Sequence, residues 1–203
     1  MPYSILSIIK ISSTLLLGNL LLISNSSADP ADWEIDPEHF SIVFEATHIE
    51  YQSQIGFFLE ASGNFRYDPE TQELFSGNVE IQADSIFTNH EDRDDHLRSR
   101  DFLSVRRNPV IAFTATGYSP AENAAEAGIL NGNLSMLGQN HPVVLEVVIN
   151  KRERYPFGHR KETLGISAQA VLLRSQWGMD YGVSNSMVGD EVTLRFEFEA
   201  LRQ

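Results

Sequence analysis

The chain has 203 residues, which fits one domain, and carries 28 acidic against 15 basic side chains, for a formal net charge of −13. A charge of that sign repels phosphate backbones and anionic lipid headgroups, which disfavours nucleic-acid binding and electrostatic docking on a membrane. No cysteine is present, so disulfides and a cysteine-linked lipoprotein anchor are excluded.

The first 28 residues have the pattern of a secretory signal peptide. Lys10 precedes an apolar stretch from 11 to 23, and the small residues Ser26 and Ala28 stand at the −3 and −1 positions of a cleavage site before Asp29. Polar residues interrupt the apolar stretch, which falls short of a membrane span and favours cleavage over an uncleaved membrane anchor. We therefore expect a signal peptide at 1–28, a domain at 29–203 in the periplasm, and no stable membrane insertion after cleavage.

Beyond residue 28, apolar and polar side chains alternate with the period-two pattern of strands that bury one face. Val192, Leu194 and Phe196 are one such row. Turn residues separate the rows, and the connections are short, which predicts an antiparallel meander. The predicted strands are 33–46, 56–66, 74–86, 110–118, 128–138, 141–152, 164–177 and 189–202.

One segment between the third and fourth strands has a helical pattern instead. Residues 88–91 read Thr-Asn-His-Glu, the spacing of a capping box, and acidic residues followed by arginines suit the helix dipole. Pro109 predicts the end of this helix. Its only apolar face consists of Leu97 with Phe102 or Leu103, so we expect a flap over one end of the strands.

Eight antiparallel strands can hide their edges by closing into a barrel or by stacking as a sandwich. A transmembrane barrel shows the same alternation and stays open as an alternative. The chain has only two tryptophans, and its tyrosines are not clustered at strand ends as interface girdles require. These observations favour the soluble form.

An ordered set of short motifs runs through almost the whole domain. The positions are Trp33, Ile35, Asp36, His39, Ser41, Ile42, Phe44, His48, Gly56, Ser85, Ile86, Thr88, Arg93, Asp94, His96, Leu97, Ser99, Asp101, Phe102, Pro109, Ile111, Phe113, Gly132, Leu134, Pro156, Gly158, Arg174, Trp177, Gly178 and 188–192. In order and spacing, this set resembles the YceI-like family of periplasmic lipid-binding barrels. The chain departs from the usual family pattern at 103–104, at 134–138 and at Trp177, which leaves ligand length and headgroup open.

The resemblance implies an all-β fold: an eight-stranded antiparallel lipocalin-like β-barrel with a short helix between strands 3 and 4, around a long apolar cavity. It also implies a bound polyisoprenoid or similar long-chain lipid, for example a quinone tail. The function implied is that of a binding or carrier protein with no shared catalytic machinery. No cofactor other than this lipid ligand is expected, and the oligomeric state, including a homodimer, stays open.

Strand parity selects the side chains that face the cavity, and parity reverses in any strand that contains a bulge. Leu97 and Phe102 are expected to close one end. The predicted ligand-binding residues are Ile42, Phe44, Phe57, Leu59, Val79, Ile81, Leu97, Phe102, Phe113, Leu134, Val147, Ile166, Ala168, Leu194 and Phe196.

Two other functions stay open. Apolar strand faces ordinarily pack as core, so a barrel with a filled interior would be a module for protein or glycan partners. A metal or haem redox protein would use His48, His90 and His96, but such sites need converging ligands, and the two histidines of the helical segment do not share a face. No catalytic or metal-binding residue is therefore predicted.

Overall fold

The computed structural model describes residues 29–203, so the signal peptide predicted at 1–28 lies outside the described residues. The strands are β1 (Ala31–His48), β2 (Gln52–Phe58), β3 (Ala61–Asp68), β4 (Glu73–Gln82), β5 (Ile86–Phe87), β6 (Val110–Ala121), β7 (Ala124–Met136), β8 (Gln139–Arg154), β9 (Glu162–Leu173) and β10 (Val188–Arg202). Helix α1 spans Glu91–Arg98, and two 3-10 turns span Ala83–Ser85 and Arg174–Trp177. No helix within 29–203 has the length and apolar character needed to cross a membrane.

Eight of these strands close into an antiparallel barrel, in the order β1, β3, β4, β6, β7, β8, β9, β10. The barrel closes where β10 pairs with β1, from Trp33 opposite Arg202 to His48 opposite Val188. Closure pairs the long strand edges that an open sheet would leave free. The predicted eight-stranded antiparallel barrel with one helix before its fourth strand is therefore confirmed.

The second and third predicted strands are each divided in two. The backbone N–H groups of Leu59 and Glu60 both donate to the Ser85 hydroxyl, each at 3.1 Å, instead of continuing the β1 ladder. The chain turns a corner here: β2 pairs with the second half of β1, and β3 pairs with the first half. Leu59 and Glu60 together take the place of one residue in the alternation, so the inward-facing positions are even in β2 and odd in β3.

Helix α1 begins differently from the sequence prediction. Its N-cap is His90, whose Nδ1 accepts from the Arg93 backbone N–H at 3.3 Å, so the predicted capping box at 88–91 is wrong. Thr88 instead donates its backbone N–H to the buried Asp94 carboxylate at 2.8 Å. The helix also ends at Arg98, well before Pro109, because the Ser99 N–H bonds back to the His96 carbonyl at 3.0 Å.

The seventh barrel strand ends earlier than predicted. β9 stops at Leu173, and Arg174–Trp177 forms a 3-10 turn rather than the last residues of a strand. Gly178 follows with a φ of +78°, a left-handed conformation that glycine adopts without strain. This turn, α1 and residues 99–109 lie at the same end of the barrel, which we call the helix end.

The opposite end of the barrel, which we call the Trp33 end, is filled by buried side chains. Trp33 is fully buried, donates from Nε1 to the Tyr67 carbonyl at 3.2 Å, and stacks on Phe65. Beside it, the buried Asp68 carboxylate accepts backbone N–H bonds from Glu70 and Asp29, each at 2.8 Å. Burial raises the pKa of Asp68, but these bonds outweigh it and hold the pKa below its usual value.

Candidate ligand cavity

The barrel encloses an apolar cavity of about 250 Å³. It extends from Leu97 and Phe102 at the helix end to Tyr67 and Leu164 near the Trp33 end. The predicted site residues that line it are Ile42, Phe44, Val79, Ile81, Leu97, Phe102, Phe113, Leu134, Val147, Ile166, Ala168, Leu194 and Phe196. Several of them, including Leu194 and Phe196, are only partly buried, because part of their surface faces the cavity rather than other side chains.

Three aromatic rings lie against the cavity wall instead of filling the axis. Each lies over a glycine of a neighbouring strand: Phe44 over Gly56, Phe113 over Gly132, and Tyr118 over Gly128. A Cβ on these glycines would lie between 2.1 and 2.5 Å from the nearest ring atom. The missing side chains therefore provide the space that keeps the rings flat and the interior open.

The helix end of the cavity is closed by α1 and the residues that follow it. Leu97, Phe102 and Leu103 line the cavity from this side, and Phe102 and Leu103 are buried. The ring of Phe102 contacts those of His96 and Tyr181, at centroid distances of 5.0 and 5.2 Å. These contacts join the flap to the segment that follows the second 3-10 turn.

Arg174 is a buried cation at the same end. Its guanidinium donates hydrogen bonds of 2.7 to 2.9 Å to four main-chain carbonyls, those of Met179, Tyr181, Val188 and Gly189. Burial lowers the pKa of Arg174, and the nearby acidic residues only partly offset this. Since the guanidinium is already bonded to the backbone, its role here is to hold 179–189 against the barrel.

Two tyrosines are the main polar groups near the other end. Tyr67 and Tyr118 meet edge to face, with ring centroids 6.2 Å apart. Burial, with a smaller contribution from Tyr118, raises the pKa of Tyr67 to about 12, and burial also raises the pKa of Tyr118. Both phenols therefore stay neutral at physiological pH, and the cavity presents no anionic group there.

Two predicted site residues do not reach the cavity. Phe57 and Leu59 point outward and are 39% and 57% exposed, so their inward assignment is wrong. Phe58 points inward instead, at 8% exposure, and pairs with Ile42 of β1. The sequence prediction treated 56–66 as one uninterrupted strand. Phe57 and Leu59 were therefore given the odd inward parity that holds only in β3.

Several cavity residues were not predicted from the sequence pattern. Phe58 is the last residue before the break between β2 and β3, and Ile86 is the first residue after the break between β4 and β5. Strand parity therefore did not predict that they line the cavity. Phe65, Leu172 and Phe198 had the correct alternation and could have been found by extending each row to its ends. Pattern reading located the middle of the cavity better than its ends.

The histidines proposed for a metal or haem site are not brought together. His48 lies at the end of β1, His90 caps α1, and His96 is hydrogen-bonded to Asp101 at 3.1 Å. Within residues 29–203, the group whose possible ligand atoms converge is a different one, Asp36, His39 and Glu199.

A closed antiparallel barrel with an apolar, helix-capped interior defines a lipocalin-like class of small-ligand-binding folds. Within that class, the chain belongs to the YceI-like family, whose domain model matches residues 33–200. A UPF0312 protein of Pseudomonas paraeruginosa is 32% identical over 198 residues, which cover 96% of this chain and 98% of the relative.

Solved structures show the same fold. The Campylobacter jejuni YceI protein has a TM-score of 0.68 and 25% identity, over 77% of this chain and 89% of that chain. A polyisoprenoid-binding domain from Saccharophagus degradans, implicated in plant cell wall breakdown, has a TM-score of 0.60 over 84% of this chain and 98% of that chain. At 11% identity, the second likeness concerns the fold alone.

Proposed function

We propose that this protein is a periplasmic binding or carrier protein that holds a polyisoprenoid or similar long-chain lipid, such as a quinone tail, inside its barrel. It carries out no chemistry on this ligand. The observation that carries the proposal is the cavity itself, which is apolar along its length and open along its axis. The polyisoprenoid-binding domain of similar fold supports the same class of ligand.

The physical chemistry of the cavity favours a slender apolar chain. Its volume of about 250 Å³ lies just below the roughly 300–1,000 Å³ of pockets for drug-sized molecules. Each methylene-sized unit that enters it gains about 0.8 kcal/mol from burial. A linear prenyl chain gains this energy without needing polar fixtures, which agrees with a wall built from aliphatic and aromatic side chains.

The periplasmic location is part of the proposal and is supported by the signal-peptide pattern of residues 1–28. Cell fractionation and amino-terminal sequencing test it. We expect the protein in the periplasmic fraction with Asp29 as its first residue. Recovery from the cytoplasm with Met1 retained would contradict this location.

The alternative function, a module with a filled core, is disfavoured by the partly exposed side chains that face the cavity, Phe44 and Phe196 among them. Solvent extraction and mass spectrometry of the purified protein distinguish the two functions. We expect a co-purifying isoprenoid or other long-chain lipid. Protein that carries no lipid, and takes none up when offered, would refute the carrier function.

A pair of variants locates the lipid. Phe113→Asp places a charge in the cavity and should abolish lipid retention, because a buried unpaired carboxylate is incompatible with an apolar ligand. Thr114→Asp, one residue along the same strand on the exposed outer face, is the matched control and should retain lipid. A folded Phe113→Asp protein that keeps its lipid would show that the ligand lies elsewhere.

A further inference from the structure

The seam where β1 pairs with β10 contains a wide irregularity on the outside of the barrel. The register passes from Ile35 opposite Ala200 directly to Phe40 opposite Phe198, so that residues 36–39 face the single residue Glu199. Pro37 has no N–H to donate to a ladder, which favours a bulge at this point. Asp36 closes the turn by accepting the Glu38 backbone N–H on Oδ1 at 2.9 Å.

This bulge brings together three groups that can ligate a metal. His39 Nδ1 lies 2.8 Å from Asp36 Oδ2 and 3.8 Å from Glu199 Oε2, and the three ligand atoms all lie within 4.8 Å of one another. The Asp36 side chain is 9% exposed, so its Oδ2 is held in place beside His39. A side-chain imidazole and two carboxylates, drawn from two neighbouring strands, thus point at one small volume.

One of the three possible ligand atoms has no hydrogen-bond donor within bonding distance among residues 29–203. Glu199 Oε2 itself is shielded from solvent, although the side chain as a whole is 32% exposed, and it has no hydrogen-bond partner in the described part of the chain. His39 cannot satisfy it, because the single Nδ1 proton is already directed to Asp36 and the 3.8 Å distance to Glu199 is too long for a hydrogen bond. A shielded carboxylate oxygen without a donor is unfavourable, which points to a ligand that the carboxylate is arranged to receive.

We propose that Asp36, His39 and Glu199 form a binding site for a divalent transition-metal ion, for which Zn²⁺ is the probe. The ion takes the place of the Nδ1 proton and is bound by His39 Nδ1, Asp36 Oδ2 and Glu199 Oε2, while water completes its coordination. Zn²⁺ bonds to nitrogen and oxygen are about 2.0–2.2 Å long, so ligand atoms this close together need only small side-chain rotations.

The surroundings suit a cation. The adjacent surface cleft is lined by Glu38 and Glu197 in addition to Glu199, so the local charge is negative. His39 is 46% exposed, which leaves an entry path and room for water on the ion. Because the ligands come from β1 and β10, a bound ion would join the two strands that close the barrel.

Calorimetric titration of the chelator-treated protein with Zn²⁺ tests the site. We expect one ion per chain, with affinity at least about tenfold weaker in Glu199→Gln and His39→Ala. Glu199→Gln keeps the size and polarity of the side chain, so it carries the test if His39→Ala does not fold. His48→Ala removes an exposed histidine of the same strand and should leave the affinity unchanged.

A second measurement follows from the position of the site at the seam. At a free Zn²⁺ concentration about 100 times the dissociation constant, the melting temperature should rise by about 5 °C or more, and this rise should be absent in Glu199→Gln. Equal affinity in Glu199→Gln and the parent protein would overturn the proposal. A loss in His48→Ala as large as that in His39→Ala would do so as well.

Discussion

The open axis of the barrel depends on rings that lie flat over glycines, and Gly128 offers the cleanest way to disturb one of them. A Cβ at this position would meet Tyr118 Cζ and Oη at 2.5 Å, and the three nearest atoms all belong to that side chain. Carbon atoms in contact need about 3.5–4.0 Å, so Gly128→Ala should push the Tyr118 ring away from the wall by about 1 Å or more. Because the wall lies behind the ring, the displacement is into the cavity.

The displaced ring takes up space that the lipid would otherwise occupy. If it excludes one or two methylene-sized units, the lost burial is about 0.8 to 1.6 kcal/mol. That loss corresponds to an affinity for a linear isoprenoid that is weaker by roughly 4-fold to 15-fold. The main-chain atoms need not move, so the barrel itself should remain folded.

Calorimetric titration of delipidated protein with a linear isoprenoid alcohol measures the effect, and circular dichroism checks the fold. Gly117→Ala is the matched control, because a Cβ there meets nothing within 4 Å. Adding Tyr118→Leu to Gly128→Ala removes the ring that clashes and should restore much of the affinity. Equal affinity in Gly128→Ala and the parent protein, or an equal loss of affinity in Gly117→Ala, would refute this role of the Tyr118 ring.

Three further predictions concern the closure of the barrel ends. Arg174→Met should lower the free energy of unfolding by about 2 kcal/mol or more, seen as a melting temperature about 4–8 °C lower, because four carbonyls lose a charged donor. The control Arg195→Met, at an exposed position, should change the melting temperature little. Equal effects of the two variants would contradict the role of Arg174 in holding 179–189 against the barrel. Asp94→Ala removes the acceptor for Thr88 and should speed amide hydrogen exchange in 88–105 without affecting β8; unchanged exchange there would argue against a flap held by Asp94. Since the pKa of Asp68 is lowered in the folded protein, its stabilisation is complete above the unfolded value of about 3.9 and is lost as the pH falls through the folded value. Thermal melts should therefore show Asp68→Asn less stable than the parent at neutral pH, with the gap narrowing below about pH 4; a constant gap would refute this.

The period-two alternation predicted most of the strands and their apolar faces, because it depends only on the local order of side chains. Val79, Phe113, Val147 and Phe196 lie on the cavity wall as parity required, since no break separates them from the middle of their strands. The closed barrel was implied by the order and spacing of the family motifs, since alternation alone left a sandwich open.

Parity could not be carried across the corner at Leu59. The corner is made by a hydrogen bond from Leu59 to Ser85, a residue of the distant 3-10 turn Ala83–Ser85, so nothing in the local pattern indicates it. Phe57 was assigned to the cavity and Phe58 was missed for this reason. The start of α1 was misassigned in a similar way, because Thr88 serves the buried Asp94 rather than the helix terminus.

The amino-acid sequence by itself determined the approximate positions of the eight barrel strands, most of their apolar faces and the presence of the helical insert, because each of these follows from residues that are neighbours in the chain. Only the tertiary structure decided where strands break, how the rings of Phe113 and Tyr118 leave an axis open, and that Asp36, His39 and Glu199 meet. Those features depend on the register between strands. Register is set by the packing of the whole barrel, in which side chains far apart along the chain become neighbours.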